Sequence, residues 1–177
     1  MKKNCFIIGA ILAAAACTKG PSEPSAECKS AIEYYKSNGV SLTKKDQSDT
    51  PEKYRLAYAG HIPVQGTGII SSKPVNVMCS KDGAVTIWGA DIKVDKQKTA
   101  AALKSLSQIF LVNSSSLKAS DSQKSFFNEV AGKLQPDNEW REKIDGNFVI
   151  RVITTQADAR GNYFLTIHAG NAASYKK

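Results

Sequence analysis

His61 and His168 are the two histidines of the chain, and hence its natural candidates for proton transfer near neutral pH. Neither stands in a metal-ligand spacing such as H-E-x-x-H. His168 shares a strand side with Phe164 and Thr166 and can oppose Arg151, which fits a sheet-surface histidine better than a catalytic base. His61 precedes Ile62-Pro63 at a strand end with no partner group beside it. The S-x-x-K pattern of penicillin-recognising serine enzymes occurs at Ser41/Lys44, Ser115/Lys118 and Ser174/Lys177. No S-D-N or K-T-G segment accompanies it, and serine and lysine are common enough here to produce it by chance. Gly66-Thr67-Gly68 lacks the third glycine and the following helix that a phosphate-binding turn needs. Asp137, Glu139, Glu142 and Asp145 could supply paired carboxylates for glycan hydrolysis, but Arg141 and Lys143 among them mark a mixed-charge surface. The sequence therefore assigns no catalytic residue, no metal and no cofactor.

The cysteines carry more information. Residues 1–17 read MKKNCFIIGAILAAAAC: two lysines, an apolar run from Cys5 to Ala16, then small residues before Cys17. Twelve apolar residues make a helix of about 18 Å, too short for a hydrocarbon core that needs roughly 20 residues. This is the pattern of a secretory signal peptide. Its end resembles the lipobox of bacterial lipoproteins, with Cys17 at the lipid-bearing cysteine and Ala15 and Ala16 at the small positions before it. The resemblance implies cleavage between Ala16 and Cys17, a diacylglyceryl group on Cys17 and a membrane anchor. Thr18, where an Asp tends to retain such proteins at the inner membrane, implies an outer-membrane location. Ala14-Ala15-Ala16 also satisfies an ordinary A-x-A cleavage site. Parity separates the two: with Cys17 lipidated, Cys28 and Cys79 remain as an even pair, whereas otherwise an exported protein keeps one odd thiol.

The elements that must position these residues follow from periodicity. Residues 1–16 form the signal peptide, 17–25 a lipidated cysteine and Pro/Ser/Gly-containing tether, 26–170 the folded domain and 171–177 a tail. Cys28, Ala31, Ile32 and Tyr35 make one face of a helix over 26–38, started by Ser25 and stopped by Asn38-Gly39. Residues 41–53 read as a loop. Alternation predicts strands at 54–59, 67–72, 75–80 and 84–94, with a Lys81-Asp82-Gly83 hairpin and with Trp88, Ile92 and Val94 on one side. Apolar stripes predict helices over 97–112 and 121–134, the second opened by a Ser120/Gln123 capping box. Pro136 opens a short helix through Ile144 that carries Trp140. Strands 147–155 and 162–169, turned near Arg160-Gly161, close the chain. The order predicts an α+β fold: one small domain with a largely antiparallel sheet, helices on one face and a C-terminal hairpin. Cys28 on the helix's apolar face and Cys79 beside Val75 and Val77 can meet if that helix covers that sheet face. An oxidising compartment would bridge them, the alternative being two separately buried thiols.

Length and composition exclude broader classes. The chain has 177 residues, 42% hydrophobic and 23% charged, with a single continuous apolar stretch. It is too short for a multi-domain enzyme, too apolar for a disordered chain and too polar for a polytopic membrane protein. Loss of Lys2 and Lys3 with the signal leaves 22 basic against 16 acidic residues, a net +6. Positive charge concentrates in Lys93, Lys96, Lys98 and Lys104 and, in the C-terminal part, in Arg151 and Arg160, a candidate surface for an acidic protein, anionic lipid or lipopolysaccharide. Lysines without interleaved exposed aromatics make a poor nucleic-acid platform. These features point to a non-enzymatic envelope lipoprotein whose domain binds another envelope component. An inhibitor or immunity protein against an exported hydrolase or toxin is the alternative within binding. A small cell-wall or lipid hydrolase using His61 or His168 is the alternative from another class.

Overall fold

The computed structural model describes residues 23–46, 54–133, 136–155 and 158–175. The signal segment, the Ala16–Cys17 cleavage site and most of the tether lie outside the described residues. Among those described are three α-helices and eight strands, in the order α1 (Ala26–Ser37), β1 (Leu42–Lys44), β2 (Tyr54–Gly60), β3 (Ile69–Ser71), β4 (Val75–Ser80), β5 (Val85–Val94), α2 (Thr99–Phe110), α3 (Asp121–Gly132), β6 (Trp140–Asp145), β7 (Phe148–Thr155) and β8 (Tyr163–Asn171). No helix among the described residues is long and apolar enough to cross a membrane.

Local chemistry sets the helix ends. Ser25 Oγ accepts the Cys28 amide at 3.1 Å and starts α1. Its end is a Schellman motif: Gly39, at φ 78°, donates to Lys36 O, and the Val40 amide donates to Tyr35 O. A 3-10 turn, Lys96–Lys98, leads into α2, and Asp95 caps it through the Gln97 amide at 2.9 Å. The expected capping box opens α3, with Ser120 Oγ accepting the Gln123 amide and Gln123 Oε1 accepting the Ser120 amide at 2.8 Å. The same Gln123, fully buried, donates through Nε2 to Phe148 O at 2.7 Å and so ties the helix start to the sheet.

All strand pairs are antiparallel, in the order β1-β2-β4-β5-β8-β7-β6, and β3 adds to the far end of β5. One side of every central strand is apolar: Val75, Val77 and Cys79 on β4, Val85, Ile87 and Ile92 on β5, Leu165, Ile167 and Ala169 on β8, Phe148, Ile150 and Val152 on β7. These residues form a single buried cluster with Cys28, Ile32 and Tyr35 of α1, Leu103, Leu106 and Phe110 of α2 and Phe127 and Val130 of α3. The helices therefore all cover the same sheet face. Cys28 and Cys79 are disulfide-bonded across this layer, with Cα atoms 5.9 Å apart.

Four sequence expectations change. Residues 140–144, read as the end of a short helix, belong to the edge strand β6, paired in register with β7 from Trp140↔Ile153 to Asp145↔Phe148. Asn138 at φ 58° breaks the chain after Pro136, and Gly146 at φ 56° leads a two-residue hairpin loop. Trp88 does not share a side with Ile92 and Val94. A β-bulge between Gly89 and Ile92, with Asp91 at φ 49°, adds one residue and shifts the alternation, so Ile92 turns into the core while Trp88 points away from it. The loop over 41–53 contains β1, paired to β2, in its described part. The segment from Asn171, read as a tail, begins inside the sheet: Asn171 is 3% exposed and its Oδ1 accepts the Val85 amide at 2.6 Å. A 3-10 turn, Ala172–Tyr175, follows it and is held by Tyr175 Oη donating to Ala169 O at 2.9 Å.

Candidate binding face

The sheet face away from the helices is built by cross-strand register. Asn76 opposes Trp88, Trp88 opposes His168, His168 opposes Arg151 and Arg151 opposes Glu142. Residues directly opposite point to the same side, so β4, β5, β8, β7 and β6 each place one side chain in a row across the strands. The opposition of His168 and Arg151 is as expected from the sequence. Trp140, two residues before Glu142 on β6, shares its side and leans over the row, its ring centroid 4.8 Å from His168. Trp88 meets His168 edge-on at 5.8 Å, and the Tyr175 ring centroid lies 6.2 Å from that of His168. The Arg151 guanidinium lies 4.9 Å from the Trp140 centroid, a cation–π contact, and its Nε is 3.1 Å from Glu142.

The face is apolar at its tips. Trp88 and Trp140 are each 40% exposed and Ile144 is 51% exposed, although all three carry large hydrophobic side chains. Beneath the Tyr175 end, Tyr54, Ala57 and Met78 form a small buried cluster separate from the main core. Its charges are matched: Arg151 with Glu142, and beside the row Lys73 with Asp91 at 2.5 Å. Burial, and secondarily the Arg151 charge, push the His168 imidazole down to about 4, so at pH 7 it is neutral and offers one N–H donor and one acceptor. Burial raises the Tyr175 phenol, which also stays neutral.

The low affinity of His168 for a proton has a consequence for stability. Below its ordinary value of about 6.5 the unfolded chain takes up a proton that the folded chain refuses until about 4. Stability should therefore fall as pH drops through this window, and since the ring is partly solvated we expect about 1–2 kcal/mol. Urea midpoints at pH 7 and at about pH 4.5 should show this loss shrink in His168→Gln; an identical loss in the variant would contradict it.

The other residues singled out by sequence occupy several places. Lys93 pairs with Asp158 at 2.5 Å and lies 5.6 Å over the Phe164 ring. That ammonium, helped by the Asn162 backbone amide, holds the Asp158 carboxyl well below the usual range. Lys96 and Lys98 are exposed on the 3-10 turn, and the Lys96 chain runs beside Gly161, next to Arg160 on the β7–β8 turn. Lys104 is exposed on α2, in the helix layer. The six basic residues thus divide among the open face, one end of the sheet and the helix layer. His61 is exposed just after β2. Of the acidic group, Asp137 pairs with Arg141, Glu142 with Arg151, and Asp145 accepts from Ser122 at 2.8 Å.

Sequence reasoning missed Trp88, Trp140 and Tyr175 as members of one surface. The alternation of Trp140, Glu142 and Ile144 with Arg141, Lys143 and Asp145, before Gly146, was a usable strand signal. Comparison with known families, curated proteins and solved structures gives no match to this chain.

Proposed function

We propose that the chain is a lipid-anchored lipoprotein of the cell envelope, facing the periplasm from the outer membrane, that works without catalysis by holding another envelope component on its open sheet face. The observation that carries this reading is the contrast between the two faces. One is sealed by three helices, while the other presents Trp88, Trp140 and Ile144 to solvent around a neutral histidine. Exposed large apolar groups gathered on one surface are a mark of interaction sites. The His168 ring is flanked by aromatic rings and a guanidinium, an arrangement suited to contact more than to proton transfer.

Anchoring rests on the lipobox resemblance at Cys17, and the Cys28–Cys79 bridge suits an exported, oxidising compartment. Ser25, at the end of the tether, donates from Oγ to Gly83 O at 3.1 Å, so the anchor would join the domain beside the β4–β5 turn. The test is binding of the full chain to delipidated envelope fragments. Replacing both Trp88 and Trp140 by Ala should weaken it about thirtyfold, the 2 kcal/mol scale of an aromatic hot spot, while His61→Ala should not. In cells, Cys17→Ser should move the protein from the membrane to the soluble fraction. Envelope binding that ignores the tryptophans would overturn the binding reading, and a Cys17→Ser protein that stays with the membrane would overturn the anchor.

A further inference from the structure

We infer that the open face is a platform for an uncharged, β-linked polysaccharide laid across the strands, along the row Asn76–Trp88–His168–Arg151–Glu142 with Trp140 above it. The inference rests on the binding reading and names the ligand class. Neighbouring strands are ~4.8 Å apart, so the track from Trp88 on β5 to Glu142 on β6 runs about 15 Å. It crosses four neighbouring strands, β5, β8, β7 and β6, which suits an extended chain better than a small molecule. A cavity of about 170 Å³ lined by Ser25, Leu56, Ser80 and Gly83 is not part of it.

Charge complementarity selects the ligand. The row's guanidinium is paired, His168 is neutral, and Lys96, Lys98 and Lys104 lie away from the row. An acidic protein or anionic lipid would find no unmatched positive charge in the row. A pyranose with equatorial hydroxyls presents the opposite profile: C–H bonds on its flat sides and hydroxyls at its rim. The C–H side, slightly positive, sits well on the negative face of an indole. The rim hydroxyls require both donors and acceptors, which Asn76, neutral His168, Arg151 and Glu142 supply in mixture. The rings are also held before binding: Trp140 between Arg151 and His168, Trp88 against His168. Such restraint lowers the ordering cost of association. Addition of a peptide strand is opposed at the edge strands among the described residues. β6 carries Arg141, Lys143 and Asp145, and β1 and β3 have three residues each.

The protein supplies its own reporter. Trp88 and Trp140 are its two tryptophans, so tryptophan fluorescence, excited beyond the tyrosine band, reads this face. The full chain in detergent is titrated with cellohexaose and chitohexaose, and with an alginate oligosaccharide as the anionic comparator. A saturable blue shift with at least one neutral oligomer is expected, unchanged up to about 0.5 M salt, where unscreened charge attraction would fade. In Trp140→Ala, followed through Trp88, the affinity should fall at least about tenfold; Trp140→Phe should recover part of it, and circular dichroism should show the fold unchanged in both. Absence of response to either neutral oligomer would overturn the inference. So would a response to the anionic oligomer alone that salt abolishes, or a concentration-dependent dimer that Trp88→Ala dissociates. If the neutral oligomers fail while envelope fragments still bind through the tryptophans, only the ligand class falls. If the fragments also bind independently of the tryptophans, the binding reading falls with it.

Discussion

Replacing Cys28 and Cys79 together by Ala should lower the unfolding free energy by about 4 kcal/mol, the chain-entropy value for a loop of this length. The two cysteines are 51 residues apart in sequence. The closed loop contains β1, β2 and β3, so without the bridge the unfolded chain regains the freedom of that whole segment. Both sulfurs sit in the core, Cys28 at 0% and Cys79 at 2% exposure, between α1 and β4. Alanine leaves a small apolar void there and no unsatisfied hydroxyl, which keeps the comparison to loop entropy and packing. Among the described residues the long-range polar ties that remain at α1 include Ser25 to Gly83, Ser30 Oγ to Ser115 Oγ at 3.0 Å and Tyr34 Oη donating to Gln108 O at 2.6 Å. Urea unfolding of the oxidised protein and the double variant measures the difference. A change below about 1 kcal/mol would mean that the unfolded chain stays as ordered without the bridge. Hydrogen exchange should also show α1 as the first helix to lose protection in the variant.

Gly170→Ala is the second large effect, with an expected loss of about 3–5 kcal/mol from backbone strain and overpacking together. Gly170 lies on β8 between two paired strands, opposite Thr86 on one side and Val149 on the other. Its φ is 137°, in the region that favours glycine, and an added Cβ would fall 2.1 Å from Val85 O. That oxygen belongs to the neighbouring strand's backbone and cannot swing aside as a side chain can. Relief requires β5 and β8 to separate where Asn171 also binds the Val85 amide. Gly146→Ala gives the cost of a left-handed position without a collision. Gly146 has φ 56° with nothing within 4 Å of the added Cβ, so its cost should be near 1 kcal/mol. Equal losses for the two variants in thermal or urea unfolding would show that the collision at Val85 does not matter.

The parts of the fold that were legible in the sequence are those decided within one or two turns of chain. The Cys28/Ala31/Ile32/Tyr35 stripe, the Asn38-Gly39 stop and the Ser120/Gln123 box are local hydrogen-bond and packing choices, and each stands in the structure as read. The last hairpin was legible for the same reason. Its turn at Arg160-Gly161 is local, and the two-residue period then sets His168 against Arg151. Where reading failed, one residue had changed the phase. The bulge at Asp91 turned Trp88 away from Ile92, and no side chain near it announces an inserted residue. At 136–145 the proline and the charged residues suggested a helical turn, but pairing with β7 offered that segment a full set of backbone hydrogen bonds.

By itself, then, the sequence determined the three helices, the caps of the first and the third, the alternation of most strands and the face that His168 and Arg151 share, and it left Cys28 and Cys79 as a pair that could meet. It contained Trp88, Trp140 and Tyr175 without saying that they meet. Their meeting depends on strand order: β8 inserts between β5 and β7, and β6 folds back on the outer side of β7. Trp88 and Trp140 stand 52 positions apart in the chain, and no local propensity links them. Only the burial of one continuous apolar face under three helices fixes which strands are neighbours. That arrangement leaves the opposite face, with its row of rings, in the solvent.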